Sequence, residues 1–167
     1  MFTNCYNLTS ITLPDTFNTS QVTKMTEMFE NCFSLTELNL GNNFDTSQVL
    51  EMDCMFAGCE SLTSLDLGDK FDTSSVYNFA SMFNGCSGLT SIDLGPKFVT
   101  GNSDIAYMFC NCSNLTSLDL SNFDIKPSYS DNVDCFLDGC DSLDVITLPK
   151  AIASKFDGKI SLPGSEE

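Results

Sequence analysis

The fold is decided by the stretch Met55-Phe56-Ala57-Gly58-Cys59-Glu60-Ser61-Leu62-Thr63-Ser64-Leu65-Asp66-Leu67, because copies of it fill most of the chain. One cysteine marks the same position in every copy, and the spacing between these cysteines is about 27 residues. A fixed period of this size is typical of a solenoid, in which each unit buries its apolar face only against its neighbours. The cysteine column consists of Cys5, Cys32, Cys59, Cys86, Cys112 and Cys140.

Each unit carries two local patterns. After the cysteine, Leu65 and Leu67 alternate with Asp66, which predicts a short half-buried strand. Before the cysteine, apolar residues recur at i, i+3, i+6 and i+7 behind a Ser or Thr suited to an N-cap, which predicts a short helix. Helices are wider than strand spacings, so the stack should curve. The sequence therefore predicts an α/β solenoid of about six 27-residue units, with parallel strands on the concave face and short helices on the convex face.

A phenylalanine column and two irregular stretches complete the organisation. The column predicts an aromatic spine through the stack. Residues 99–104 and 126–132 depart from the repeat, either through ordinary decay or as loops modified for binding. We expect a repeat domain over residues 1–148, with a cap and tail over 149–167 that cover the last unit with Ile152, Phe156, Ile160 and Leu162. The spine residues are Phe17, Phe44, Phe71, Phe98 and Phe123.

The full repeat reads Phe-Asp-Thr-Ser-x-Val-x-x-Met-x-x-Met-Phe-x-x-Cys-x-x-Leu-Thr-x-Leu-x-Leu. It resembles the BspA-like leucine-rich repeats of bacterial surface proteins, in particular the Mycoplasma and Firmicutes surface-lipoprotein type, from residue 1 to about residue 148. The resemblance implies a leucine-rich-repeat solenoid in a secreted or wall-attached protein that acts in adhesion or protein binding. The cysteine here precedes the strand and a Phe follows it, so the turn geometry of ordinary leucine-rich repeats is not implied.

Composition excludes several functions and points to a location. The net charge is −16, with seven Lys, no Arg and no His, so nucleic acids and anionic membranes would be repelled. No apolar run approaches the roughly 20 residues that a membrane-spanning helix needs. Met1 lies in register with Met28 and Met55, so we expect a fragment of a longer protein. Its location is expected to be the cell surface or the extracellular space, with signal and anchor outside this chain.

Catalysis, cofactors and metal ions find little support in the sequence. It has no histidine to act as a base near neutral pH, no Gly-rich phosphate loop and no nucleophile elbow, so we do not expect an enzyme. The six column cysteines are expected to pack as small apolar side chains. Cys54 and Cys135 occupy equivalent positions too far apart to pair. Cys110 and Cys112 are too close in sequence for zinc-ribbon spacing. We therefore expect no metal and no cofactor.

The outward positions of the strands form the candidate ligand-binding surface. Carboxylates stacked about 5 Å apart repel one another by roughly 1 to 3 kcal/mol per pair. Three things could offset this repulsion. The first is screening by solvent together with Lys70 and Lys97, the second is a basic partner, and the third is a hydrated calcium ion. We expect polar and acidic contacts to a host or neighbouring-cell surface protein or glycan; the alternative is a passive structural spacer, possibly stiffened by calcium. The candidate residues are Glu37, Asn39, Ser64, Asp66, Ser91, Asp93, Ser117 and Asp119.

Overall fold

Six short parallel strands, each of three residues, are the regular elements of the residues that the structure describes. The computed structural model describes residues 1–124 and 134–148. The strands pair in sequence order as β1 with β2, β3 with β4 and β5 with β6, each strand running beside its copy in the next repeat. Their bounds are β1 Ser10–Thr12, β2 Glu37–Asn39, β3 Ser64–Asp66, β4 Ser91–Asp93, β5 Ser117–Asp119 and β6 Val145–Thr147.

The strands have the predicted half-buried alternation. In β3, Leu65 is buried while Ser64 and Asp66 are exposed, and the same order of exposed, covered and exposed residues holds in the other five strands. The expected strand in each unit is therefore confirmed. The concave curvature predicted for this side stays a prediction, and we call this side the strand face.

The predicted helices are wrong: the described part of the chain contains no helix. A string of turns takes their place, in which Met28 N donates to Met25 O over 3.2 Å and Cys32 N donates to Phe29 O over 3.3 Å. Glu27 and Asn31 have φ values of 56° and 57°, a left-handed conformation that an α-helix cannot contain. Cys54 and Cys135, placed on helices by the sequence pattern, occupy such left-handed turn positions instead.

Hydrogen bonds between repeats explain the absence of helices. Glu27 N donates to Asp53 O over 3.0 Å, and Phe29 N donates to Met55 O over 2.8 Å. Asn31 N then donates to Ala57 O over 2.7 Å. Because these amides are satisfied by the next repeat, they need no carbonyl four residues back. A string of turns also returns to the same side every three or four residues, so it shares the apolar spacing of an amphipathic helix.

Single-residue bridges join the repeats along a further line of the fold. Lys24 pairs with Glu51, Glu51 with Asn78, and Asn78 with Asp104, all in the parallel sense. They fall within the segments for which helices were expected. Backbone hydrogen bonding between repeats therefore runs along the strands, the turns and this bridge line.

Two columns of stacked phenylalanines fill the core. Phe29, Phe56 and Phe83 are fully buried, with ring centroids 5.4 and 5.5 Å apart. In the predicted spine, centroids lie 6.4 Å apart for Phe44 and Phe71 and 6.2 Å apart for Phe71 and Phe98. The spine is thus confirmed from Phe44 onward and continues to Phe123 at 5.8 Å, whereas the half-buried Phe17 stacks on no ring of the described residues. Burying one such ring is worth roughly 2 to 3 kcal/mol.

The irregular segment over residues 99–104 remains packed into the stack. Ser103 N donates to Thr100 O over 2.9 Å, which forms a turn, and Ile105 is fully buried where earlier repeats place Met52 and Phe79. The second irregular stretch, 126–132, and the predicted cap over 149–167 with Ile152, Phe156, Ile160 and Leu162 lie outside the described residues. The predicted boundary between repeat domain and cap therefore stays a prediction.

Candidate ligand-binding site

All eight candidate residues lie on the strand face with exposed side chains. The structure places Ser64 opposite Ser91 and Asp66 opposite Asp93 in the β3–β4 pair. Successive strands of a sheet are about 4.8 Å apart, so the two aspartates are direct neighbours.

The remaining candidates do not join this pair in one ladder. Glu37 and Asn39 of β2 lie opposite Ser10 and Thr12 of β1. Ser117 and Asp119 of β5 lie opposite Val145 and Thr147 of β6. Within residues 1–124 and 134–148 the strand ladders are three separate pairs, although β4 and β5 also lie in contact. The predicted row of eight is therefore present on one face, interrupted after β2 and after β4.

The last residue of each central strand also caps a turn. Gly68 N donates to Asp66 Oδ1 over 2.8 Å, and Gly95 N donates to Asp93 Oδ1 over 2.9 Å. Asn39 and Asp119 accept equivalent bonds from the amides two residues on, each over 2.9 Å. Sequence reasoning missed this role, although Asp or Asn two residues before Gly signals such a turn. One oxygen of each aspartate carboxylate remains for other contacts.

A cavity opens beside the central aspartates. Its volume is about 420 Å³, and Asp66, Asp93 and Asp119 line it together with Asp69 from the loop after β3. Apolar side chains from β4 and the phenylalanine spine, among them Ile92, Phe98 and Phe123, line it as well. The cavity thus combines four acidic side chains with an apolar floor.

The lysines expected to screen this face are not paired with it. Lys70 Nζ donates to Asn43 Oδ1 over 3.2 Å, and Lys97 is exposed. In the part of the chain that the structure describes, the one ion pair joins Lys24 to Glu51 over 2.8 Å, on the bridge line. Within the described residues, no lysine therefore forms an ion pair with the carboxylates of the strand face.

The described residues do not bring acidic side chains together as a metal site. Nowhere in residues 1–124 and 134–148 do three or more His, Cys, Asp or Glu side chains form a group that could hold a metal ion. The aspartates of the strand face lie in a row, whereas calcium takes six to eight oxygens arranged around it. The calcium-stiffened alternative therefore gains no support from this part of the chain.

The cysteine column connects successive repeats. All nine cysteines are free, and five of the column are buried. Cys59 Sγ donates to Phe29 O over 3.3 Å and Cys86 Sγ donates to Phe56 O over 3.2 Å. Burial raises the pKa of the Cys86 thiol to about 12 and also raises the pKa of Cys59. These thiols stay protonated at neutral pH, when a thiol is a poor nucleophile and metal ligand.

A polar cluster lies on the bridge line, outside the predicted site. Tyr77 Oη donates to Glu51, and Lys24 Nζ contacts the same carboxylate. The hydrogen bonds from Lys24 and then from Tyr77 hold the pKa of Glu51 below its usual value. Lys24 and Tyr77 are exposed and Glu51 is half-buried, so salt will weaken the ion pair of the cluster.

Comparison with known proteins gives a family for the repeat. No curated protein matches the chain. Among solved structures, a leucine-rich cell-surface protein from Faecalibacterium prausnitzii is similar with a TM-score of 0.42 and 20% sequence identity. The match covers 95% of this chain and 30% of that protein, so this chain spans less than a third of its length.

No helix in the described ranges is long and apolar enough to cross a membrane. The resemblance to BspA-like repeats of the Mycoplasma type is confirmed: the model of the family described as Mycoplasma protein of unknown function, DUF285, matches residues 1–123, and the chain belongs to that family.

Proposed function

We propose that this chain is a non-enzymatic, solenoid-forming module of a bacterial cell-surface protein that binds a partner through its acidic strand face. The observation that carries the proposal is the neighbouring pair Asp66 and Asp93, exposed beside a cavity of about 420 Å³, with no lysine of the described residues paired to either carboxylate. The surface location rests on the resemblance of the repeat to BspA-like surface proteins.

The charge of the face selects the chemistry of the partner. Stacked carboxylates repel one another, and a docked cationic surface would relieve that repulsion. The partner we propose is a protein on a host or neighbouring cell that presents lysine or arginine side chains, or a polyhydroxyl glycan, over the apolar floor of the cavity. Electrostatic binding of this kind weakens as salt rises, because exposed charges are screened within about 8 to 10 Å at physiological ionic strength.

The test removes the charge and keeps the turns. Asn39 already caps its turn through Oδ1, so Asp66→Asn with Asp93→Asn should preserve the caps while two negative charges are lost. We expect labelled full-length chain to be retained on a cultured epithelial monolayer, and the double variant to be retained about tenfold less at low salt.

The matched control removes the same charge elsewhere. Glu27→Gln with Glu60→Gln changes two exposed carboxylates of the turn segments, away from the strand face, and should leave retention unchanged. Equal loss of retention in both double variants would show that retention depends on the net charge of the chain and not on the strand face. If the unmodified chain is not retained at all, the passive spacer becomes the better account.

A further inference from the structure

A second groove lies where the repeat pattern changes, away from the strand face. Its volume is about 240 Å³, and it is formed by residues 73, 74, 76 and 77 of one repeat, 99–103 of the next, and Asp124. None of the eight strand-face residues lines it. The groove therefore needs an explanation of its own.

Successive repeats place a buried threonine at the same position, and we call Thr46, Thr73 and Thr100 the threonine column. Thr46 is fully buried; its Oγ1 donates to Asp72 O over 2.8 Å and accepts from Asp72 N over 2.7 Å. Thr73 forms the same two bonds with Val99, over 2.7 and 2.8 Å. Each buried hydroxyl is thus satisfied by the backbone of the residue after the next spine phenylalanine.

Thr100 breaks this rule. It occupies the same position and is 2% exposed, yet its Oγ1 is the one buried side-chain nitrogen or oxygen without a hydrogen-bond partner in the described part of the chain. Asp124, which follows Phe123, holds the place of the expected partner. Its carboxylate accepts instead from Gly101 N. A buried hydroxyl with no partner costs free energy. Because the oxygen is covered in this conformation, a ligand hydroxyl would recover that energy by drawing the Thr100 side chain toward the groove.

The groups around Thr100 indicate the kind of ligand. Asn102 and Ser74 are exposed at the groove and can both donate and accept, while Asp124 only accepts. Tyr77 exposes 55% of its surface and its hydroxyl donates to Glu51, so its ring supplies an apolar wall at the groove.

We propose that this groove binds a single neutral sugar ring. Sugar hydroxyls donate and accept, so they suit the mixture of hydroxyl, amide and carboxylate, and the C–H surface of the ring suits Tyr77. An ammonium group only donates and cannot accept from the Asn102 amide, whereas an anion would be repelled by Asp124. Pockets for drug-sized ligands have roughly 300–1,000 Å³, so this smaller volume fits one ring.

The test uses the full chain and a panel of three probes: methyl glucoside, methyl galactoside and methyl N-acetylglucosaminide. In amide NMR titrations to about 10 mM, we expect at least one probe to shift the signals of Gly101 and Asn102 with saturable, millimolar affinity. Asp124→Asn should weaken that affinity about tenfold, and Thr100→Val should weaken it several-fold.

Two variants serve as controls. Thr46→Val removes a hydroxyl of the same column that already has its partners, so it should lower the unfolding temperature and leave sugar binding intact, while Thr100→Val should not lower it. Asp66→Asn with Asp93→Asn should also leave sugar binding intact, because the strand face is not part of the groove. The proposal is overturned if no probe shifts these signals, or if Thr100→Val and Asp124→Asn leave the affinity unchanged.

Discussion

At the scale of single residues, the cysteine column shows how one side chain fulfils two requirements of a stacked repeat. Cys59 fills a fully buried space beside its neighbours, and its thiol donates to the Phe29 carbonyl of the preceding repeat. Sequence reasoning predicted the packing, because a free cysteine behaves as a small apolar residue. It missed the hydrogen bond, because spacing along the chain does not reveal which backbone carbonyl lies above a side chain.

Burial predicts which thiols will react with an alkylating reagent. At pH 8 the native protein should be modified first at the half-buried Cys5, Cys54 and Cys135, because access and thiolate formation govern the reaction. Cys59 and Cys86 should react only on unfolding, since burial holds their pKa high. Peptide mass spectrometry after timed iodoacetamide treatment measures the order. Early modification of Cys86 in folded protein would contradict the buried column.

At the scale of elements, strands were predictable and the turn segments were not. The alternation in Ser64–Asp66 predicts a strand and no other element, because one residue is buried while its two neighbours are exposed. Spacing such as Met25, Met28 and Phe29 fits a helix and a string of turns equally well. The left-handed residues decide between them, and only Gly58 and its equivalents announce that conformation in the sequence.

Two glycines test the turn string by direct comparison. Gly58 has φ of 73°, and a methyl group added there would lie 2.7 Å from Asn31 Oδ1 and 3.3 Å from the Phe33 ring. Gly68 has φ of 77° with nothing within 4 Å of such a methyl group. Both Gly→Ala variants bear the left-handed strain of about 1–2 kcal/mol, and Gly58→Ala should lose about 1 kcal/mol more. Urea unfolding measures both; equal losses would contradict the close packing of neighbouring turns.

At the scale of the whole molecule, the 27-residue period gave the correct order of the stack, because each repeat contacts the copies on either side of it. The eight outward candidates are exposed on the strand face, as the alternation predicted, and their role in ligand binding stays a prediction. The period could not show that the strand ladders are interrupted after Asn39 and after Asp93, since all strands share one pattern. It also gave no sign of the unpaired Thr100 hydroxyl, because the repeat pattern does not show that the Asp124 backbone fails to pair with it as Val99 pairs with Thr73.

Calcium should not stabilise the described stack. Its carboxylates form a row with no group of three placed to hold a metal ion, so millimolar calcium has no specific site there from which to stabilise the folded state. We expect the unfolding temperature to agree within error in 5 mM calcium (about a thousandfold above sensor affinities) and in excess chelator. Magnesium at the same concentration controls for ionic strength. A rise with calcium alone would restore the calcium-stiffened spacer.

The most direct test of a surface module is where the repeat lies on the cell. Intact source cells are treated briefly with trypsin, and the released peptides are identified by mass spectrometry beside a lysed sample and a cytosolic marker protein. Binding to other cells requires the strand face to be outside, so we predict release of peptides ending at Lys70 and Lys97 from unlysed cells. Their appearance only after lysis, together with the cytosolic marker, would contradict the proposed function.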